Sequence, residues 1–229
     1  MSDRPHVVIP GDVTSSFATS EELTGDAAHL TTLMRTARSR LIIATTSPDT
    51  SQCHQAFIWM QPGPCIVART STTPDGDTET HIYQIDNEEI PHVAAAISPL
   101  APNPAIFDGP PVLPTAIVHA AQQGMTEQTA QLLENYSSYG PSDSAFAQAL
   151  VAQRWAYTTW IREERTDKGS FVPTSTLSTF STPAAAYRVE APLFAPSTGP
   201  HIPIHPIYNT QLWGLITHFF ALSPERNQP

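Results

Sequence analysis

Nine histidines are the residues of this chain best suited to chemistry, and His201 and His205 lie close enough in sequence to suggest a shared metal ion. Pro203 between them keeps the segment extended. Their Cα atoms then stand about 13 Å apart, too far for two nitrogens that must each reach about 2 Å from one zinc. Exposed or capping roles are expected for both. Cys53 and His54 are adjacent, so in a strand they point to opposite faces. Asp86, Glu88 and Glu89 could act as general acid and base, but they stand just before Pro91 at the start of a predicted helix, whose positive end attracts acids without any catalysis. Asp75 and Asp77 share the turn Thr73-Pro74-Asp75-Gly76-Asp77 without the further oxygen ligands of a calcium loop. The chain contains no GxSxG, HExxH, P-loop or GxGxxG motif. The expectation is a protein with no catalytic residue, no cofactor and no metal, which is not an enzyme.

Bulk properties point the same way. The 229 residues carry 21 acids against 11 bases, a net charge of −10. A nucleic-acid surface, which needs clustered Lys and Arg, is not expected. Charged residues make up 14% of the chain, well under the roughly 25% of ordinary domains, and 23 prolines stiffen its connections. No apolar run approaches the roughly 18 residues of a membrane span, and the first residues lack the apolar core of a signal peptide, so a cytosolic protein is expected. Cys53 and Cys65 are then expected to be reduced thiols. Lys168 is the only lysine, a bias that fits a GC-rich genome.

Side chains such as these must be positioned by elements, and the elements repeat. Residues 1–18 read as irregular. Thr19 and Glu22 have capping-box spacing, with Leu23, Ala27, Leu30 and Met34 on one helical face behind them. Arg40–Thr45, Gln55–Met60, Cys65–Thr70 and Thr80–Ile85 read as strands, the middle two joined tightly through Gln61-Pro62-Gly63-Pro64. A helix follows at Pro91, with Val93, Ala96, Ile97 and Leu100 as its apolar stripe. Residues 99–114 are too rich in proline for a helix or a central strand. Three short helices come next, the last capped by Ser142. Trp155–Arg162 opens a second strand group and carries aromatics on both faces, so both faces are expected to be covered. Pro203 and Pro206 demote Ile202–Ile207 to an edge strand or irregular structure. Asn209–Leu222 closes the chain as a helix striped with Leu212, Leu215, Ile216, Phe219 and Leu222, flanked by Trp213 and Phe220. The expected fold is α+β: one domain over 19–222, an antiparallel sheet built from two quasi-repeated strand-meander/helix halves at 38–98 and 154–222, flanked by helices, with a flexible tail at 223–229.

This order, helix, meander, helix, proline-rich bridge, helices, meander, helix, resembles the EspG family of type VII (ESX) secretion-associated proteins. The stretch Ala145-Phe-Ala-Gln-Ala-Leu-Val-Ala-Gln-Arg154 is similar to the family's helix leading into the second sheet segment. Phe180-Ser-Thr-Pro-Ala-Ala-Ala-Tyr-Arg188 is similar to its Asp-Thr-Pro-x-Gly-Arg-Tyr signature. Thr182 and Pro183 match that signature, while Ser181 replaces the Asp, Ala185 or Ala186 the Gly, and Tyr187-Arg188 is inverted. Ile90-Pro91-His92 fits the family's helix start after a strand. The family's longer N-terminal helical region is shortened here. The resemblance spans about residues 38–222, and the family is concentrated in actinobacteria.

The resemblance implies a cytosolic, non-enzymatic chaperone that keeps a helical secreted substrate of PE–PPE or WXG100 type soluble until export, by covering an apolar helical tip. Amphipathicity and turn exposure, rather than family positions, single out Trp213, Phe220 and the 71–79 turn with Thr73, Asp75 and Asp77 as partner-binding residues. Two other readings are open: an immunity protein whose acidity complements a basic toxin, and an enzyme with an unrecognised site.

Overall fold

The β-branched run Ser39–Thr46 (β2) turns Leu41 and Ile43 to one face of a sheet and Ile42 and Ala44 to the other. Its neighbours have the same two-sided character, so the sheet needs cover on both faces. The computed structural model describes residues 4–10, 25–48, 55–73, 75–98, 103–137, 144–191 and 199–220. In chain order they form β1 (His6–Pro10), helix α1 (Asp26–Thr36), β2, β3 (Gln55–Met60), β4 (Cys65–Thr72), β5 (Thr78–Ile85), α2 (Ile90–Ile97), β6 (Val112–Pro114), α3 (Thr115–Gln122), α4 (Thr126–Ser137), α5 (Ala145–Val151), β7 (Ala156–Arg165), β8 (Phe171–Ser181), β9 (Ala186–Val189), β10 (His201–Ile207) and α6 (Asn209–Phe220). The strands make one ten-stranded sheet in the order β1-β5-β4-β3-β2-β7-β8-β9-β10-β6, antiparallel at every step.

Two meanders therefore meet at the β2–β7 seam, and the repeat is visible in the register. Ile42 pairs with Ile161. The offset of 119 residues that relates these two also carries Ile58 onto Leu177, both buried in one core. An offset of 122 carries Ile85 onto Ile207, and the inward residues Ile90, Ala94 and Ile97 of α2 onto Leu212, Ile216 and Phe219 of α6. That shared core lies under α2 and α6 on the front of the sheet. Trp160, 1% exposed, fills its centre between the paired residues Ile43 and Leu177. Burying a side chain of this size contributes at least about 2 kcal/mol. On the back, Leu30 and Met34 of α1 pack on Phe57, Trp59 and Ile66, while α3, α4 and α5 cover Tyr157, Phe180 and Tyr187.

Two arginines of β7 tie helices to opposite faces. Arg162 donates to the carbonyl of Phe219 near the end of α6 at 3.0 Å. Arg165 donates to the carbonyls of Ala37 and Met34 at the end of α1, at 2.8 and 3.2 Å. Arg165 sits where α1 leaves carbonyls unpaired and its dipole is negative.

The proline-rich bridge is part of the packing. Ile106 N–H donates to Ala184 O, and Gly109 N–H donates to Tyr187 Oη, both at 3.0 Å. The Asp108 carboxylate accepts from the backbone N–H of Ala145 and Phe146 at the start of α5.

Several expectations are corrected. Residues 6–10, within the segment read as irregular, form an edge strand paired with β5; the run His6-Val-Val-Ile-Pro10 alternates exposed and half-buried positions along it. Thr19, Glu22 and Leu23 lie outside the described residues, and α1 starts after Gly25, whose φ is +61°. The inward stripe of α2 is Ile90, Ala94 and Ile97, with Ala96 exposed, because two isoleucines outweigh one alanine in choosing the buried face. Ser144 caps α5 by accepting from Ala147 N–H at 3.0 Å; the expected cap, Ser142, lies outside the described residues. Residues 201–207 form a regular strand one place in from the sheet edge. Its prolines are tolerated because residues 201–203 pair with β6 and residues 204–207 pair with β9, so neither half must donate on both sides. The tail at 223–229 and Cys53 also lie outside the described residues.

Candidate partner-binding site

The front helical layer is unusual for a chain of net charge −10. Neither α2 (IPHVAAAI) nor α6 (NTQLWGLITHFF) contains Asp, Glu, Lys or Arg. Along α6, Leu212, Ile216 and Phe219 face the sheet, Leu215 packs against the same core, and Trp213 stands on the flank opposite Leu215 with 39% of its surface exposed. Gly214 beside it has open space where a Cβ would stand, with nothing within 4 Å. A helix-interior glycine costs about 1 kcal/mol relative to alanine, and neither φ nor packing among the described residues requires one here. Tyr208, 55% exposed, precedes the helix and packs edge-on against Phe107 at 5.0 Å. Lack of charge with exposed aromatics is the composition of an interface centre. The side chain of Phe220 lies outside the described residues.

The turn between β4 and β5 is built by Thr73. Its N–H donates to Asp77 O at 2.7 Å, its carbonyl accepts from Gly76 N–H at 2.9 Å, and its Oγ1 accepts from Asp77 N–H at 3.1 Å. Gly76 supplies the required φ of +89°. Asp75 and Asp77 are exposed at the tip. The tip and Trp213 belong to different halves of the fold: the tip joins β4 to β5 in the first meander, and Trp213 lies on α6 after the second.

Two of the three acids considered for catalysis, Asp86 and Glu89, have structural work. The Asp86 side chain and Glu89 form a reciprocal capping box that opens a short 3₁₀ turn before α2, and both carboxylates pair with Arg4. The hydrogen bond from Asp86 N–H, followed by that from Arg4, holds Glu89 below the usual carboxylate range. His205 pairs with Glu190 at 3.2 Å. Among the described residues no group of three or more His, Cys, Asp and Glu is arranged to hold a metal ion, and no helix is long and apolar enough to cross a membrane.

Sequence reading missed a second group of residues on the back of the central strands. Ile42, Ala44 and Ile161 are half-buried there, and Thr176 is exposed, in a strip between α1 and α3. At its upper end Thr46 donates to Ala121 O at 2.6 Å, and the side chains of Tyr157, Gln122, Thr159 and Ser178 gather beside it. Burial pushes the Tyr157 phenol up, a shift that Ser178, Thr159 and Gln122 only partly offset. The signal available in sequence was the Thr/Ser content of β7 and β8, which alternation alone could not assign to a face.

Architecture and site together define a class: an α+β protein with one antiparallel sheet of repeated halves and an uncharged helical pair on its front. No family model and no curated protein matches the chain. Among solved structures it is similar to the Mycobacterium tuberculosis type VII secretion system chaperone EspG5 in complex with a PE25–PPE41 dimer. The identity is 10% and the TM-score 0.44, over 93% of this chain and 84% of that one. No residue role follows from a likeness at that level.

Proposed function

We propose that the protein is a chaperone that binds a helical type VII secretion substrate, of PE–PPE or WXG100 type, and keeps it soluble in the cytosol for export. The reading is supported by the sequence resemblance together with the element order of the fold, which runs helix, meander, helix, bridge, helices, meander, helix. It acts by covering an apolar helical surface rather than by transforming a substrate. Trp213 and Phe220 serve as apolar anchors on α6, and the tip carrying Thr73, Asp75 and Asp77 contributes a polar contact on the other wing of the sheet. The uncharged front of α2 and α6 carries this assignment, since a partner's apolar face can desolvate it without stranding a charge.

Co-expression tests it. Each PE–PPE heterodimer and WXG100-type dimer of the chain's own genome is produced with and without this protein. A substrate that becomes soluble only with it, and co-elutes with it, supports the reading. If every candidate stays equally soluble or insoluble in its presence, the chaperone reading is wrong.

A further inference from the structure

Each half of the repeat sets an arginine beside a histidine on the front of the sheet. Arg69 of β4 is the register partner of His81 in β5, and Arg188 of β9 is the register partner of His205 in β10. The offset of 119 residues that carries Ile42 onto Ile161 also carries Arg69 onto Arg188. Val67, Tyr83, Ala186 and Ile207 belong to the front core, and alternation puts the arginines and histidines, two residues away along each strand, on that same face. A glutamate accompanies each pair, and it goes to the histidine: Glu79 lies 3.8 Å from His81, and Glu190 lies 3.2 Å from His205. Among the described residues the side chain of neither Arg69 nor Arg188 has an ion pair or a hydrogen bond. Arg188 is exposed, but Arg69 is half-buried. The other half-buried arginines, Arg40 and Arg165, are both bonded. Partial burial takes hydration from the Arg69 guanidinium and returns no carboxylate in exchange. The rings of His6 and His81 stack at 5.7 Å beside it, so the neighbouring side chains add no negative charge beyond the glutamate already engaged.

We infer that Arg69 and Arg188 are twin anchors for carboxylates of the partner, so that the front face selects a helical substrate with Asp or Glu beside its apolar stripe. The occupant's class rests on the chaperone reading; its charge rests on complementarity. In a chain of net charge −10, cations left without acids at equivalent places in both halves, on one face, fit a carboxylate supplied from outside. A guanidinium takes a carboxylate through two parallel bonds. The division of labour is then simple. The apolar stripe covers the uncharged helices α2 and α6, which share this face, and the acids at its sides reach the arginine of each meander. Arg69 is the stronger anchor, because its partial burial leaves water less able to compete for the bond.

The variants Arg69→Met and Arg188→Met remove the guanidinium and keep an aliphatic stem. Each, and the double variant, is titrated calorimetrically against the purified PE–PPE and WXG100-type dimers of the same genome at low and high salt, beside Trp213→Ala. The melting temperature and sedimentation of each free protein are recorded. The expected result is affinity about tenfold weaker for Arg69→Met, weaker again for the double variant, and a salt dependence that shrinks with each arginine removed. The free variants should melt where the unaltered protein does, since no bond within the chain is lost. If both arginine variants bind as tightly as the unaltered protein while Trp213→Ala does not, the arginines are no anchors and the chaperone reading stands. Weaker binding confined to variants that also melt lower would trace to the fold and overturn the proposal. Self-association of the unaltered protein that the double variant abolishes would assign the carboxylates to a second copy of this chain and overturn it as well. If no dimer binds the unaltered protein, both readings fall.

Discussion

Ile42 and Ile161 stand opposite one another in the β2–β7 ladder, and each is the other's counterpart in the repeat. A local two-fold axis therefore passes between them. It relates the two meanders and places α2 and α6 together on the front of the sheet. Both isoleucines are only half-buried, so the seam joining the halves is not fully covered on the back. Alanine at either position is expected to cost about 1–2 kcal/mol, below the range for a fully buried isoleucine. The double variant should show about 0.2–1 kcal/mol of coupling, as cross-strand pairs do. Urea denaturation of the four proteins in the cycle measures both.

Trp213 and Gly214 should separate binding from folding. Trp213→Ala leaves stability within about 1 kcal/mol because the ring is largely outside the core, yet weakens substrate binding at least about tenfold as an aromatic anchor. Gly214→Ala is expected to stabilise the free protein by about 0.5–1 kcal/mol, since a Cβ there meets nothing, and to weaken the complex by crowding a partner helix. Thermal melts with parallel titrations give both readouts.

Gly109→Ala should be among the most damaging single changes. A Cβ there would stand 2.7 Å from Tyr187 Oη and 2.8 Å from Phe146 Cδ2, and Tyr187 also accepts the Gly109 N–H. The bridge would have to leave its seat between β9 and α5. A loss of about 3 kcal/mol or more is expected, read as a falling denaturation midpoint.

Arg162→Met removes the donor to the Phe219 carbonyl and the 3.2 Å ion pair with Glu164. The expected loss is about 1–3 kcal/mol, with the α6 amides around Phe219 losing protection first in hydrogen exchange.

Stability should fall at both ends of the pH scale for separate reasons. Glu89 is held below the ordinary carboxylate value by Asp86 N–H and Arg4. Its contribution is therefore present above that ordinary value and lost as pH falls through the lowered one. Burial holds the Cys65 thiol above its ordinary value, so its contribution is complete below the ordinary thiol value and lost as pH rises through the raised one. Melting temperature against pH should show a neutral plateau. Glu89→Gln should flatten the acidic limb, and Cys65→Ala the alkaline one. In a Cys53→Ser background, Cys65 is expected to react with a thiol reagent far more slowly at pH 8 than a free peptide thiol.

Local pattern determined most of the elements. Apolar β-rich runs bounded by Pro and Gly located β2–β5 and β7–β9, and helical spacing located α6 with Leu212, Ile216 and Phe219 inward, because periodicity is written by burial one residue at a time. The repeat of meander and helix was legible for the same reason. What the tertiary structure decided was everything that depends on a partner distant in sequence. His6–Pro10 is a strand only because β5 offers it an edge. The prolines of β10 are accommodated only because β6 and β9 share its pairing. The hydroxyl of Thr46 on β2 reaches the Ala121 carbonyl of α3 across 75 residues of sequence. Sequence periodicity says which side of an element seeks cover, but which other element supplies that cover, and where it stops, is set by packing between segments that no local pattern connects.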